Sequence, residues 1–356
     1  MSDLGEKDII RLPANLKTRD EKCRTRNIII SLSVRGGQGL KAGERGFQCS
    51  GCAREYLCES GIPLFFYPNE WDAAKEDVTE AVKSFYEETP FPNYDDTDSV
   101  WRLKEKAEKG VFARLLDEQV SPEAKVLEAG CGTGQLSNFL AIGAGRDVYG
   151  TDICLNSLKL GQAFKEKNHL DNVTFLQMNL FKRVFKPETF DIIVSNGVIH
   201  HTGDSFLGFQ TLSRLVKKGG YIVIGLYNKY GRLTTDFRRF IFKIFSNGFQ
   251  FLDPRLKDSG LSEVRKKTWF RDQYKNPHES KHTIGEVLRW FDRCGFRFMN
   301  GIPKAVAFES FSQEETLFAK NPSGSKIDHF IVQTGMLLSG GREGGFFTMI
   351  GRREGE

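Results

Sequence analysis

Three glycines at alternate positions mark the stretch of this sequence that is best suited to hold a ligand. Gly130, Gly132 and Gly134 follow the apolar pair Val126 and Leu127, and helix-forming residues come after them. This order predicts a buried strand, a tight turn and the first turn of a helix. Glycine permits positive φ and close approach of a ligand, and free N–H groups at a helix N-terminus favour an anionic group. We therefore expect the loop to bind a ligand that has an anionic end.

A carboxylate completes this predicted site. Asp152 lies 18 residues beyond Gly134, at the end of an apolar run that begins at Val148. An acid at the end of the second strand of a βαβ unit is placed to accept hydrogen bonds from a ribose diol, so the ligand is predicted to contain adenosine. In dinucleotide sites the third glycine follows the second by three residues, whereas here it follows by two. This spacing argues against an NAD-dependent oxidoreductase.

Glu128 precedes the first glycine by two residues, and the whole segment from Glu128 to Gly134 resembles the first motif of the class I S-adenosylmethionine (SAM) methyltransferases. Segments 173–180, 190–201 and 215–224 resemble the later motifs, so that the resemblance covers about residues 125 to 302. It implies an α/β fold with a Rossmann-like, doubly wound, mostly parallel sheet of seven strands. Residues 296–302 would form one strand, and residues 346–351 would form the last, with one antiparallel strand closing the sheet.

The resemblance also implies the cofactor contacts. The three glycines would hold the amino-acid end of SAM, Asp152 the ribose and Asn179 the adenine, although most relatives carry an acid at the position of Asn179. An amide oxygen still accepts a hydrogen bond from the adenine edge. The predicted cofactor-binding residues are Glu128, Gly130, Cys131, Gly132, Thr133, Gly134, Gln135, Asp152, Ile153, Asn179, Leu180 and Asn196.

Histidines are the candidates for taking a proton from an acceptor, because imidazole titrates near neutral pH. A packing role is the alternative for each of them, and two adjacent histidines cannot both face the site. Residues 278–282 match the His-Glu-x-x-His zinc-protease pattern, but Thr283 and Glu286 form a capping box that starts a helix only after this segment. The pattern requires both histidines on one helical face, so no zinc is expected there. The candidate catalytic residues are His200, His201, His278 and His282.

Aromatic and amide side chains are expected to border the acceptor. Some follow the strand that ends near residue 226, and others precede the histidine-containing loop. The aromatic, proline-containing segment 84–94 either docks the N-terminal residues on the core or closes over the cofactor. A helix is predicted from Trp101 to Leu116 after it. The candidate substrate-binding residues are Tyr86, Tyr94, Tyr227, Asn228 and Tyr274.

Residues 1–70 are predicted to form a small unit that resembles a zinc ribbon attached to some methyltransferases. Cys49 and Cys52 match one half of such a ribbon. In the other half, Cys23 is followed by Arg26 where a second thiolate would stand, and only Cys58 could replace it. Because a structural zinc site needs four ligands, we favour a degenerate ribbon without metal.

Charge is distributed unevenly along the chain, although the formal net charge is only +5. Between residues 76 and 98 there are eight acidic residues and one lysine, whereas residues 229–304 contain 17 Lys and Arg against eight Asp and Glu. Either these are two solvated faces, or the basic region attracts an anionic partner.

We predict an acidic and aromatic linker with helices at 71–122 and a methyltransferase domain at 123–353, whose basic insertion at 229–277 forms a helical lid. An amphipathic helix near residues 236–245 would pack on the core, with contact to a membrane surface as the alternative.

The predicted function is methyl transfer from SAM to a hydroxyl of a small-molecule or lipid-like acceptor. An RNA methyltransferase and a non-catalytic SAM-binding scaffold are the alternatives; nucleic acid is the less favoured substrate. Seven cysteines in a long chain without a signal-peptide core predict a reducing, cytoplasmic location. No apolar run approaches the length of a membrane span.

Overall fold

The structure is a computed structural model. It describes residues 10–11, 29–30, 40–43, 46–49, 55–69, 71, 77–88, 90, 94, 99–143, 145–182, 184–245, 252–257, 260, 262–338 and 345–355 of the 356-residue chain. The strands within these ranges are β1 Ile10–Arg11, β2 Ile29–Ile30, β3 Leu40–Gly43, β4 Gly46–Cys49, β5 Glu55–Glu59, β6 Ile62–Phe65, β7 Lys125–Ala129, β8 Asp147–Asp152, β9 Val173–Met178, β10 Phe190–Asn196, β11 Val216–Tyr227, β12 Phe296–Ile302 and β13 Phe346–Arg353.

Helices alternate with the strands from β7 onward, and three of them precede it. The α-helices of the described ranges are α1 Thr79–Glu88, α2 Val100–Lys109, α3 Val111–Gln119, α4 Gln135–Ala141, α5 Leu155–Lys167, α6 Ser205–Ser213, α7 Leu233–Ile244, α8 Glu263–Lys275, α9 Ile284–Arg293 and α10 Lys326–Leu338. A 3₁₀ turn spans Ile199–His201.

Seven strands form the predicted mostly parallel sheet, in the order β9-β8-β7-β10-β11-β13-β12. Strand β13 runs antiparallel to both of its neighbours, and the other pairings in this set are parallel. Strand β7 lies inside the sheet, between β8 and β10, where Val126 and Leu127 are fully buried. Helices on both faces explain the continuous apolar runs of the strands. The predicted fold class is therefore confirmed.

The same sheet continues through the N-terminal strands. Strand β6 pairs in parallel with β9, with Leu64 opposite Gln177, and β5, β4 and β3 follow as an antiparallel meander. Phe47 and Phe65 are buried in the main core. Strands β3–β6 of the predicted N-terminal unit thus extend the main sheet instead of packing as a separate ribbon.

The predicted zinc ligands lie mostly outside the described residues. Cys23 and Cys52 are not among them, nor is the side chain of Cys49, whereas Cys58 is a half-buried free thiol in β5. Among the described residues, no cluster of three or more His, Cys, Asp or Glu could hold a metal ion. The metal-free ribbon therefore stays a prediction.

The helix predicted from Trp101 to Leu116 is instead two helices, α2 and α3. Gly110 separates them with an extended backbone (φ −91°, ψ 101°), and its N–H donates to the carbonyl of Ala107. Glycine is a weak helix former, which explains the break at this position. The apolar periodicity continues across Gly110, so the pattern alone could not reveal it.

The basic insertion supplies α7 and α8, which pack on each other through a small cluster of Phe242, Phe270 and Tyr274. Helix α1 contacts the same insertion, because Arg271 of α8 pairs with Glu88 at 2.9 Å. Glu87 accepts hydrogen bonds from the backbone N–H groups of Leu155 and Asn156 at the start of α5. These contacts fix α1 between α8 of the insertion and the start of α5. No helix in the described part of the chain has the length and hydrophobicity to span a membrane.

Candidate active site

The glycine loop connects β7 to α4 and adopts the backbone that its sequence predicts. Gly130, Gly132 and Gly134 have φ of 76°, 53° and 73°, which other residues rarely adopt. Space is also restricted, because a Cβ on Gly130 would lie 2.3 Å from Val198 Cγ1, and one on Gly134 would lie 2.4 Å from Phe175 Cε1. The three glycines therefore allow the left-handed backbone of the turn, and Gly130 and Gly134 also leave room for the side chains of Val198 and Phe175.

We expect Gly134→Ala to destabilise the fold by about 2 kcal/mol or more, because it adds both left-handed strain and a clash with the Phe175 ring. For a chain of 356 residues this corresponds to a loss of about 3 °C or more in Tm, which thermal unfolding measures. Gly143→Ala is the matched control, because its Cβ would meet nothing within 4 Å. Equal Tm values for the two variants would contradict the packing argument.

Two carboxylates flank the loop. Asp152 accepts hydrogen bonds from the N–H groups of Gly132 and Cys154, both at 2.8 Å. Glu128 accepts from the backbone N–H of Ser137 at 2.8 Å and from its hydroxyl. Burial raises the pKa of Asp152, against the lowering effect of its backbone hydrogen bonds, and raises the pKa of Glu128 to about 7. The N–H of Ser137, in the first turn of α4, is thus used by the chain's own carboxylate and not left for a ligand.

A cavity of about 590 Å³ extends from this loop toward α1 and α8. This volume lies within the usual range for small-molecule sites. Thr133, Gly134 and Gln135 lie outside the cavity wall, and Gln135 accepts a hydrogen bond from Lys106 Nζ at 2.7 Å. The predicted cofactor-binding residues that line the cavity are Glu128, Gly130, Cys131, Gly132, Asp152, Ile153, Asn179, Leu180 and Asn196.

Asn179 lines the cavity, but its amide is engaged by the protein. Its Nδ2 donates to the Tyr67 carbonyl at 2.7 Å and to Asn69 Oδ1 at 2.8 Å, and its Oδ1 accepts from the N–H of Phe181 at 3.0 Å. Asn179 thereby ties the segment after β6 to the cavity wall. An adenine contact through Asn179 would have to use the second lone pair of its oxygen.

His200 and His201 form a buried pair at the end of β10. Their Nε2 atoms are 3.1 Å apart, and His201 Nδ1 faces the His278 carbonyl at 2.8 Å. A carbonyl only accepts, so His201 Nδ1 carries a proton. Burial and the neighbouring His201 and Arg232 hold the pKa of His200 well below its usual value. Burial also lowers the pKa of His201, against the opposing effect of Asp272. Of the four candidate histidines, His201 is the one that lines the cavity.

The other two histidines lie in the connection between α8 and α9, as predicted. His282 Nδ1 pairs with Glu286 Oε1 at 2.9 Å, and its Nε2 contacts Ser280 Oγ at 2.9 Å, so both ring nitrogens are used inside the protein. His278 contributes its backbone carbonyl to His201. The side chain of Thr283 accepts from the N–H of Glu286, which confirms the predicted start of α9.

The five candidate substrate-binding residues divide into two groups. Tyr86 and Tyr227 line the cavity. Tyr94 instead stacks on Phe164 at 5.1 Å, Asn228 is fully buried and accepts from the N–H groups of Tyr230 and Gly231, and Tyr274 donates to Asp253 at 2.7 Å. These last three residues lie away from the cavity wall.

Asp272 is the residue of this site that the sequence patterns did not reveal. It lines the cavity, is 7% exposed, and accepts hydrogen bonds from the Tyr86 hydroxyl at 2.9 Å and from Gln273 Nε2 at 2.8 Å. Gln273 also donates to the Tyr227 hydroxyl at 2.8 Å. The basic helix α8 contains two acids, Glu263 and Asp272, and no sequence pattern marked Asp272 as the one that lines the cavity. This part of the cavity wall is thus polar and carries a buried carboxylate.

Comparison with known proteins agrees with this geometry. The family described as methyltransferase domain matches residues 121–261. An uncharacterised protein of a Synechococcus species is 25% identical over 255 residues, which are 64% of this chain and 61% of that protein. Phosphoethanolamine N-methyltransferase 3 of Arabidopsis thaliana is 30% identical over 161 residues, which are 43% and 31% of the two chains. A demethylmenaquinone methyltransferase of a Geobacillus species is 28% identical over 137 residues, which are 37% and 57%.

The strand order and the glycine loop define a Rossmann-like methyltransferase fold. With the family match, they show that the chain carries a class I SAM-dependent methyltransferase domain, and SAM is the cofactor of this class. The predicted family and cofactor are thereby confirmed. The chain spans less than two thirds of the length of each relative named above.

Proposed function

We propose that this protein transfers the methyl group of SAM to a hydroxyl of a small-molecule or lipid-like acceptor. The observation that carries this proposal is a single cavity whose wall includes both the hydrogen-bonded group of Gly132 and Asp152 and the group of Tyr86, Asp272 and His201. SAM supplies a methyl group that is already activated on a sulfonium. The protein must then align an acceptor for in-line attack and take up its proton.

The cofactor end of the cavity is assigned by the chemistry of its groups. We infer that Gly130 and Gly132 let the backbone approach the amino-acid end of SAM, and that Asp152 accepts hydrogen bonds from the ribose diol. The N–H groups of Gly132 and Cys154 orient the Asp152 carboxylate, and each of its oxygens keeps capacity for a second hydrogen bond. Rotation of the Asp152 side chain would break one of these two hydrogen bonds, so the carboxylate is held in one orientation.

At the acceptor end, His201 is the proposed base. Its lowered pKa keeps the ring neutral at neutral pH, and its Nδ1 proton is held on the His278 carbonyl. The lone pair is consequently on Nε2, where it can accept a hydrogen bond from the Nε2–H of His200 or take the proton of an acceptor hydroxyl. His200 is then a positioning residue. Its ring packs against the Tyr227 ring, with centroids 4.2 Å apart, and contacts the His201 ring at the same centroid distance, 4.2 Å.

Asp272 is proposed to orient the acceptor. A buried carboxylate repels anionic groups, which disfavours a nucleic-acid backbone at this end of the cavity and favours a neutral or cationic part of a small molecule. Two of the three relatives named above support a small acceptor, since phosphoethanolamine and demethylmenaquinone, which stand in their names, are both small molecules.

Replacement of Asp272 tests this assignment. We expect Asp272→Asn to raise KM for the acceptor about tenfold or more, because a hydrogen bond to a charged group contributes about 1.5–3 kcal/mol. The Kd for SAM, measured by calorimetry, should stay unchanged. Glu263→Gln makes the same change of charge at an exposed position of α8 and serves as the control. An unchanged KM in Asp272→Asn would remove Asp272 from the acceptor site.

A further inference from the structure

Helix α7 is apolar on both its inner and its outer face. Phe242 and Thr235 are buried on the inner side. On the outer side, four large apolar side chains recur at intervals of four, three and four residues, which places them on one helical face. They are between 49% and 65% exposed: Leu233, Phe237, Phe240 and Ile244. A helix whose outer face only met water would carry polar residues there.

Helix α10 presents a similar face beside it. Ile327, Phe330 and Leu338 are between 59% and 79% exposed. The segment that leads into α7 contacts α10, since a Cβ on Gly231 would lie 3.3 Å from Met336 Cβ of α10. The Phe330 ring also lies edge-on to the Tyr230 ring, with centroids 6.4 Å apart. Adjacent exposed apolar groups of this extent mark an interaction surface.

The charge around this surface selects the kind of partner. Residues 229–277 contain 12 Lys and Arg against five Asp and Glu, a net charge of +7. Lys229, Lys243, Lys267 and Lys275 are exposed. A second copy of this chain would bring two positively charged surfaces together, and repulsion would oppose that contact. An anionic lipid bilayer offers an apolar interior together with a negatively charged surface that attracts nearby Lys and Arg side chains.

We propose that the outer faces of α7 and α10 dock on the surface of an anionic lipid bilayer. The aromatic and aliphatic side chains enter the boundary between headgroups and acyl chains, and the lysines contact the headgroups. The helices lie in the plane of the interface. This surface is independent of the proposed methyl transfer, because none of its residues lines the cavity.

Vesicle co-sedimentation of the full chain tests the proposal. We expect binding to vesicles of phosphatidylcholine with 30% phosphatidylglycerol, and weaker binding at high salt. The double variant Phe237→Ser, Phe240→Ser should bind about tenfold more weakly, because two apolar rings no longer insert. Trp101→Ser removes an aromatic residue of α2 that is 70% exposed, and should bind like the wild type. SAM affinity and Tm of each variant, measured in parallel, show that the fold is intact.

Three outcomes would overturn the proposal. One is the absence of wild-type binding to anionic vesicles, and another is equal binding by the double variant with its fold intact. The third is a wild-type protein that is dimeric in light scattering and does not bind vesicles, together with a double variant that is monomeric. That result would assign the surface to a second copy of the chain.

Discussion

Asp152→Ala should weaken SAM binding about 10- to 100-fold. The carboxylate is proposed to accept the hydrogen bonds of the ribose diol, and hydrogen bonds to a charged group contribute about 1.5–3 kcal/mol. The N–H groups of Gly132 and Cys154 hold this carboxylate in place, so that its loss also releases the loop from β8. Isothermal titration calorimetry with SAM measures the effect directly.

The same strand offers a matched control. Asp147 is the first residue of β8, is exposed, and lies at the opposite end of the strand from the cavity. Asp147→Ala should therefore keep the wild-type affinity for SAM. Equal affinities of Asp152→Ala, Asp147→Ala and the wild type would remove Asp152 from the cofactor site.

His201→Ala should lower kcat about 10²- to 10³-fold, since a general base contributes on this order. SAM affinity should change little, because the histidine lies at the acceptor end of the cavity. His278→Ala is the informative comparison. That change keeps the backbone carbonyl that accepts from His201 Nδ1, so we expect kcat close to that of the wild type.

The pH dependence gives a second test of His201. Burial lowers the pKa of His201 below its ordinary value near 6.5. The base is active when neutral, so kcat/KM should hold through neutral pH and fall as pH drops through this lowered pKa. The same burial disfavours protonated His201 in the folded state relative to the unfolded state.

The free energy of unfolding should therefore be unaffected by His201 above about pH 6.5, and it should decrease as the pH falls toward the lowered pKa of His201. A pH profile without an acidic limb, or a limb that persists in His201→Ala, would assign the proton to another group.

The parts of the site that the sequence predicted are those set by local chain geometry. The glycine loop and Asp152 each follow an apolar strand, and three glycines with positive φ leave few alternative structures. The order of β7, α4 and β8 then places both elements at one edge of a parallel sheet. The start of α9 was predicted for the same reason, because a capping box is formed by residues three apart in the chain.

The acceptor end could not be predicted in this way, since long-range contacts assemble it. Tyr86 and Asp272 are 186 residues apart in sequence, and Asn179 is held by Tyr67, 112 residues before it. Local sequence patterns do not predict which helix packs over the cavity. The assignment of Tyr94 and Tyr274 to the substrate shows this limit. Both are aromatic residues near the site in sequence, but they fill the core beside it.

One measurement tests the central proposal most directly. Purified protein is incubated with SAM that carries a labelled methyl group, together with cell extract that is then separated into small-molecule, lipid, RNA and protein fractions, and Asp152→Ala is treated in parallel. We predict label in the small-molecule or lipid fraction with the wild type and at least about tenfold less with the variant. Label in the RNA or protein fraction would contradict the proposed acceptor. SAM binding without label in any fraction would contradict the proposed methyl transfer and favour a non-catalytic SAM-binding protein.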